Sequence, residues 1–184
     1  MSESNPSQAA IIMSLFIEAV RQGQASWFRV VSQSMLPLLR LGDEVYIQPA
    51  KAHEIGLGEI AAFETSAGLV IHRIVHTQQT TETLRLLQMA DVELLPSWIK
   101  EQAIVGRVVG IRRPTQGASS LRETNLGHPI AKWWGMVTAH IRYRLYLCGR
   151  NNPLRIGLRG CSRFCIHFGA WCIWNCCTSA VAKK

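Results

Sequence analysis

The chain has 184 residues, which is enough for one domain of ordinary size plus an appendage, and a hydrophobic content of 48% argues against a disordered protein. Its net charge of +8 is divided unevenly, because residues 1–104 carry 7 Lys and Arg against 11 Asp and Glu, whereas residues 105–184 carry 13 against 1. The basic half indicates an anionic partner: a lipid surface, nucleic acid or an acidic protein. All 6 Cys lie in that half, unlike the cysteines of a secreted domain stapled throughout by disulfides.

The N-terminus carries no convincing signal peptide, because residues 1–8 are polar without a basic region and no small-residue cleavage site follows. Between residues 8 and 22, apolar side chains recur at helical spacing after a suitable cap at Ser7, so we predict a helix. Its apolar stripe consists of Ile11, Ile12, Leu15, Phe16 and Ala19. The apolar run is shorter than the roughly 20 residues of a spanning helix. We expect the helix to pack on the domain or on a partner, with a shallow membrane-surface helix as the alternative.

The next part of the chain has the pattern of a mainly β domain. Short apolar or alternating runs, separated by turn signals such as Gly42-Asp43 and Ser66-Ala67-Gly68, predict strands. The predicted strands cover residues 27–32, 44–47, 59–64, 69–76, 84–89 and 104–111, and a mixed polar stretch with room for a short helix lies at 92–102. Many short strands at regular spacing indicate a small, partly open β-barrel or sandwich-like unit.

The last third of the chain changes in composition. Pro, Gly, Ser and Thr at residues 114–127 predict a linker, and helical spacing resumes at residues 130–147. The predicted organisation is therefore an N-terminal helix at 1–26, a β domain at 27–113, the linker at 114–127, and a basic, Cys-rich helical extension at 128–184.

One stretch of the β domain carries the features of a nucleophile. Ser32 and Ser34 follow a predicted buried strand, and Met35, Pro37 and Gly42-Asp43 come directly after them. Proline blocks helix entry for the preceding residue, so a serine here can be held rigidly at the end of the strand with its hydroxyl facing a cleft. The plain alternative is a strand and turn with two incidental serines.

This order of Ser, Met, Pro and Gly-Asp resembles the nucleophile box of type I signal peptidases and of the related self-cleaving repressors. The resemblance covers about residues 27–113 and implies that Ser34 is the nucleophile. It also implies an oxyanion hole formed by the backbone N–H of Ser34 and the Ser32 hydroxyl.

A second match concerns the general base. Residues 70–75 are similar to the strand that holds the base histidine in endoplasmic-reticulum, archaeal and sporulation-type signal peptidases, which implies that His72 is the base. A histidine of ordinary pKa is neutral at neutral pH and can accept the serine proton. The alternative is an ordinary half-buried strand residue. His76, four residues later, is expected on the same strand face as His72.

The third family element is a Gly-Asp box, and its best match is Ala90-Asp91, with Ala where Gly is usual and Val92 where Asn or Arg often follows. The resemblance implies that Asp91 orients His72, as in other triads. The alternative role of Asp91 is that of a turn residue. Asp43 is expected to be structural rather than catalytic.

Together these matches predict a serine endopeptidase that works through an acyl-enzyme and uses no metal or cofactor. Its substrate would be a leader, signal-type or partner peptide, bound as an extended strand with small side chains near Ser34. One alternative is a catalytically weak or inactive peptide-binding module on the same fold. A repressor-like regulator is disfavoured, because the basic half shows no helix-turn-helix signature and the base is His and not Lys.

The tail allows three interpretations. Cys161, Cys165, Cys172 and Cys176 fall along one face of a helix, where they could serve as small apolar residues, as acylation sites on a membrane-surface helix, or as metal ligands. The paired short spacings of zinc sites are missing. Basic residues interspersed with Trp, Tyr and Leu favour an anionic lipid surface over nucleic acid. We therefore expect peripheral contact with the cytoplasmic membrane, with a cytoplasmic location as the alternative.

Overall fold

The computed structural model describes residues 6–81, 83–114, 120–147, 164, 166–175 and 178–182, and over these residues a nine-stranded antiparallel sheet is the main element. The strands are β1 (Ser26–Arg29), β2 (Glu44–Pro49), β3 (Ile60–Thr65), β4 (Gly68–Gln79), β5 (Leu84–Met89), β6 (Ser97–Lys100), β7 (Ile104–Pro114), β8 (Ser120–Asn125) and β9 (Thr178–Ala182). The helices are α1 (Pro6–Arg21), α2 (Pro129–Leu147) and α3 (166–175), and short 3₁₀ turns cover Ala52–Glu54 and Glu101–Ala103. The predicted mainly β, partly open fold with an N-terminal helix and C-terminal helices is confirmed.

The sheet branches at β7. The strand order is β1-β2-β7-β3-β4-β5-β6, and β2 runs along one edge of β7. The opposite edge of β7 is shared, because β3 pairs with its first half and β8 with its second half. β1 pairs with β2 alone, and the pairing of β4 with β5 begins only at Arg73. Over the described residues, β1 and residues 68–72 of β4 therefore each keep one edge without a neighbouring strand.

The structure corrects the predicted linker at 114–127, since β8 lies inside it and pairs with both β7 and β9. The residues of β8 are mostly polar, yet Thr124 is fully buried and the side chains on either side of it are not. A strand with one solvent-exposed face can consist mostly of polar residues, so polarity alone does not distinguish it from a loop. β6 likewise forms within the stretch predicted as mixed and polar.

The predicted N-terminal helix is present as α1, which begins with Pro6 at a position where its missing N–H costs nothing. The face that packs on the sheet is formed by Ile17 and Val20, which are buried in the main core, with Phe16 at its margin. Ile11, Ile12 and Leu15 are exposed. Three of the five residues of the predicted apolar stripe thus face away from the domain.

The described residues of α2 and α3 contribute to the main core, through Ala131 of α2 and Ala170, Ile173 and Trp174 of α3. α2 lies against the sheet at Gly135, where a Cβ atom would come within 2.7 Å of the Gly58 carbonyl oxygen. Gly58 has a φ of +86°, and a Cβ there would lie 2.3 Å from the backbone of Gly135. Two glycines therefore permit a backbone-to-backbone contact between α2 and the turn before β3. None of the described helices is long and apolar enough to cross a membrane.

We expect Gly135→Ala to destabilise the protein by about 1–3 kcal/mol, because the new methyl group overlaps the Gly58 backbone. Helix propensity acts in the opposite direction, since Ala is better than Gly inside a helix by up to about 1 kcal/mol. Urea denaturation measures the net effect, with His140→Ala at an exposed site on the same helix as the control. A more stable Gly135→Ala protein would contradict the close packing of α2.

Candidate active site

The segment that carries the two serines is a turn that packs on the main hydrophobic core. After β1 the chain stays paired for one more residue, because Val30 donates its N–H to the Asp43 carbonyl at 2.8 Å and accepts from the Gly42 N–H at 2.9 Å. The following turn is anchored in the core by three buried side chains, those of Met35, Leu38 and Leu39. Ser34 is half-buried beside these anchors and is held at the surface of a fixed loop.

A partly buried ion pair closes this turn. Asp43, only 2% exposed, accepts hydrogen bonds from Arg113 Nε at 2.8 Å and Nη2 at 2.6 Å, and from the Arg40 N–H at 2.8 Å. Arg113 Nη2 also donates to the Leu38 carbonyl at 3.0 Å. These contacts give Asp43 the structural role expected of it.

Ser32, Ser34 and His72 line one cleft of about 310 Å³. The two serine hydroxyl oxygens are 3.2 Å apart, within hydrogen-bond distance. The rest of the cleft wall is mainly apolar and comes from both flanking strands: Phe28, Val30, Val31, Met35, Leu39, Leu69, Val70 and Ile71. The structure therefore brings together three of the four residues singled out from the sequence.

His72 is held by a neutral partner. Its Nδ1 lies 2.5 Å from Oε1 of Gln88, whose Nε2 in turn donates to the Ser97 hydroxyl. A side-chain carbonyl oxygen only accepts, so Nδ1 of the neutral ring carries the proton and Nε2 keeps a free lone pair. Burial lowers the pKa of His72 below its ordinary value of 6.5, and the Gln88 hydrogen bond opposes that shift without cancelling it. The ring is therefore an uncharged proton acceptor at neutral pH.

The prediction that Asp91 orients His72 is corrected by the structure. Both carboxylate oxygens of Asp91 are engaged by Arg73, from Nε at 2.9 Å and from Nη2 at 2.6 Å, in a fully buried pair. Successive residues of β4 point to opposite faces of the sheet. A carboxylate that binds the Arg73 side chain therefore lies on the opposite face from the His72 side chain. The charge of Asp91 still raises the pKa of His72, but less than burial lowers it.

His76 is also not in the cleft. The register of β4 against β5 shifts between Ile74 and His76, which leaves Val75 as an extra residue. A bulge of this kind interrupts the simple alternation on which the same-face prediction rested. The His76 ring instead stacks on Tyr143 of α2, with ring centroids 4.4 Å apart and an angle of 10° between the planes.

Gln88 is the residue that sequence reasoning missed. A signal was present, because Gln88 is the only polar residue in the second half of β5 and is 7% exposed. A buried polar side chain in an apolar run needs a partner, and the strand pairing that places Gln88 opposite Ile74 gives it His72. That pairing cannot be read from the motif.

Within the described part of the chain, no group of three or more His, Cys, Asp or Glu side chains is arranged to hold a metal ion. Of the four cysteines predicted to share a helix face, Cys172 is half-buried in α3, and Cys161, Cys165 and Cys176 lie outside the described residues.

Comparison with known proteins finds no family model that matches the chain and no curated protein that matches it. The likeness to signal peptidases therefore depends on the residues themselves: the serine box, the histidine strand and their meeting in one cleft.

A change of Gln88 tests the assignment of the His72 partner without any assay of activity. We expect the pKa of His72, followed by the ring-proton shift in NMR, to lie below 6.5 in the wild type and to rise in Gln88→Glu. A carboxylate beside Nδ1 carries a full negative charge and stabilises the imidazolium form more than the neutral amide does.

Gln79→Glu, at an exposed position of β4, is the control, and His72→Gln identifies the resonance. An unmoved His72 titration in Gln88→Glu would show that the two side chains are not partners.

Proposed function

We propose that the protein is a serine endopeptidase in which Ser34 is the nucleophile and His72 the general base. The observation that carries the proposal is that His72 of β4 shares one cleft with two adjacent serine hydroxyls, which lie on a turn fastened by the Asp43–Arg113 ion pair. A serine hydroxyl needs such a base, because it is a weak nucleophile at its own pKa.

The proposed reaction passes through an acyl-enzyme. Nε2 of His72 takes the Ser34 proton while Oγ attacks the carbonyl carbon of the peptide bond. The backbone N–H of Ser34 and the Ser32 hydroxyl stabilise the resulting oxyanion. The tetrahedral intermediate then collapses, His72 returns the proton to the leaving amine, and water, activated by His72, releases the acyl group from Oγ.

The sheet supports an extended peptide as the substrate. The cleft lies between the end of β1 and residues 68–72 of β4, and each of these stretches keeps one strand edge without a neighbour among the described residues. A peptide added there would pair through its backbone, and alternate side chains would enter the cleft. Its lining by Phe28, Leu69 and Ile71 suits apolar side chains of limited size, as in a leader, signal-type or partner peptide.

The neutral partner of His72 also favours the second candidate, a weak or inactive peptide-binding module. Gln88 fixes the ring tautomer, as the carboxylate of a triad does, but it adds no charge to stabilise the imidazolium that forms during reaction. In a serine protease triad, replacing the carboxylate with an amide that leaves the ring in the wrong tautomer costs about 10⁴-fold, whereas the Gln88 oxygen holds the productive tautomer. The geometry therefore favours a slow peptidase over a pure binder.

Turnover of a peptide library, read by mass spectrometry, tests the proposal. We expect cleavage after small residues by the wild type and by Ser14→Ala, an exposed-serine control, and none detectable with Ser34→Ala. His72→Ala should lose about 10²–10⁴-fold, and Ser32→Ala about 10²–10³-fold. Because burial lowers the pKa of His72, the base stays neutral in mild acid, and kcat/KM should begin to fall only below pH 6.5.

Equal cleavage by Ser34→Ala and wild type would rule out Ser34 as the nucleophile. No cleavage by the wild type, together with equally tight peptide binding by both proteins, would favour the binding module.

We also propose that the protein contacts an anionic lipid surface through α2 and α3. Trp133, Trp134, Phe164, Phe168 and Trp171 form an aromatic surface, in which Trp133 and Trp134 are 5.0 Å apart and Phe168 lies 5.5 Å from Trp134. Four of the five rings are exposed, Phe164 by 69% and Trp171 by 61%. Exposed aromatic clusters suit the membrane interface, and the half of the chain that supplies them has a net charge of +12.

Vesicle co-sedimentation tests the lipid contact. We expect binding to vesicles that contain phosphatidylglycerol, weaker binding at high salt, and little binding to phosphatidylcholine alone. Trp171→Ser should weaken binding about tenfold. Burying one Trp side chain contributes at least the binding free energy that corresponds to a tenfold change in affinity. Trp98→Ser, at an exposed site on β6, is the matched control. Equal binding by the Trp171→Ser and Trp98→Ser proteins would exclude the aromatic surface.

A further inference from the structure

Residues 90–93, directly after β5, connect the two halves of the candidate active site. The Val92 N–H donates to the carbonyl oxygen of Ser34 at 3.1 Å, so this segment contacts the main chain of the nucleophile itself. The carboxylate of Asp91 is held by Arg73, the residue that follows His72 in β4. One short segment thus contacts the nucleophile on one side and the strand of the base on the other.

The sheet does not hold this segment, since β5 ends at Met89. Arg142 holds it instead. Its Nη1 donates to the Asp91 carbonyl at 2.9 Å, and its Nη2 donates to the carbonyls of Ala90 and Glu93. Arg142 belongs to α2 and is only 3% exposed. A guanidinium group is suited to this task, because its planar donors reach several acceptors at fixed angles.

We propose that Arg142 is a positioning residue for the peptidase reaction: it fixes residues 90–93 so that the Val92 N–H holds the main chain of Ser34 in the attacking position. The proposal rests on the proposed function, and it assigns a role to α2, which lies outside the region that resembles signal peptidases. Without the guanidinium group, the buried carbonyls of Ala90 and Asp91 and the part-buried carbonyl of Glu93 lose their donor, and the segment must move to bring the two buried carbonyls to water. A shift of about 1 Å at the nucleophile is enough to cost about 10²-fold in rate.

The test uses the full chain with Arg142→Ala, Arg142→Lys and the control Arg144→Ala, an exposed arginine on the same helix. The first measurement is hydrogen exchange of the Val92 amide by NMR, which requires no activity. We expect protection in the wild type and in Arg144→Ala, and at least tenfold faster exchange in Arg142→Ala. The Ile74 amide, which donates to Glu59 in the sheet, should remain protected in all four proteins.

The second measurement is peptide cleavage. We expect Arg142→Ala to lower kcat about 10²-fold with KM unchanged, because the substrate cleft itself is intact, and added guanidinium ion at low millimolar concentration to restore part of the rate. Arg142→Lys keeps the positive charge and the helix but lacks the planar guanidinium group, so its kcat should lie between those of the wild type and Arg142→Ala. It replaces Arg142→Ala in the test if that variant does not fold.

Unchanged Val92 exchange in both Arg142 variants would overturn the proposal, as would an undiminished kcat in an active enzyme. If the wild type cleaves nothing, the proposed function fails on its own. The exchange measurement then still decides whether Arg142 holds residues 90–93.

Discussion

The partly buried ion pair between Asp43 and Arg113 is the constraint on which the candidate site depends. The turn with Ser34 is not part of the sheet ladder, so side-chain contacts and a few backbone hydrogen bonds outside the ladder set its position. Two parallel hydrogen bonds to Asp43 and a third to the Leu38 carbonyl fasten the turn to the end of β7. Removing one partner of such a pair leaves an uncompensated buried charge, at a cost of about 3–5 kcal/mol. This cost opposes any movement of the turn away from Arg113. The pair also extends toward the C-terminus, because the Arg113 guanidinium carbon lies 3.9 Å from the Trp174 ring centroid in α3.

This arrangement changes the meaning of the uneven charge. Read from the sequence, a half with a net charge of +12 indicates an external anionic partner. In the structure, part of that charge forms ion pairs within the chain. Arg113 pairs with Asp43, and Lys132 lies 3.7 Å from Glu59 of the acidic half. Arg142, from the same half, binds the main chain of residues 90–93. The two halves of opposite charge are therefore held together partly by that difference.

The sequence was sufficient for features that local patterns determine. The strand periods predicted most of the sheet, and β5 was predicted to the residue. The serine box and the histidine strand led to Ser32, Ser34 and His72, which share one cleft. Features that depend on register were not predictable. Gln88 takes the place expected for Asp91 because of where β5 pairs with β4, and the bulge at Val75 separates His76 from His72. Arg113 and Arg142 bind partners 70 and 51 residues away along the chain, and such distant contacts leave no local pattern.

The contact of His72 with Gln88, and not with Asp91, has a chemical consequence. A carboxylate beside His72 would raise the pKa of the ring and stabilise the imidazolium ion, and Asp91 is kept from this role because Arg73 occupies both its oxygens. The neutral amide leaves the ring a weaker base than a carboxylate would, burial lowers the pKa of His72 below its ordinary value, and the Gln88 oxygen fixes the proton of the neutral ring on Nδ1. In the proposed reaction such a site would lack charge stabilisation of the imidazolium, and its serine, histidine and oxyanion donors would act through their positions. Three arginines fix these positions: the partly buried Arg113 at the serine turn, and the buried Arg73 and Arg142 around residues 90–93.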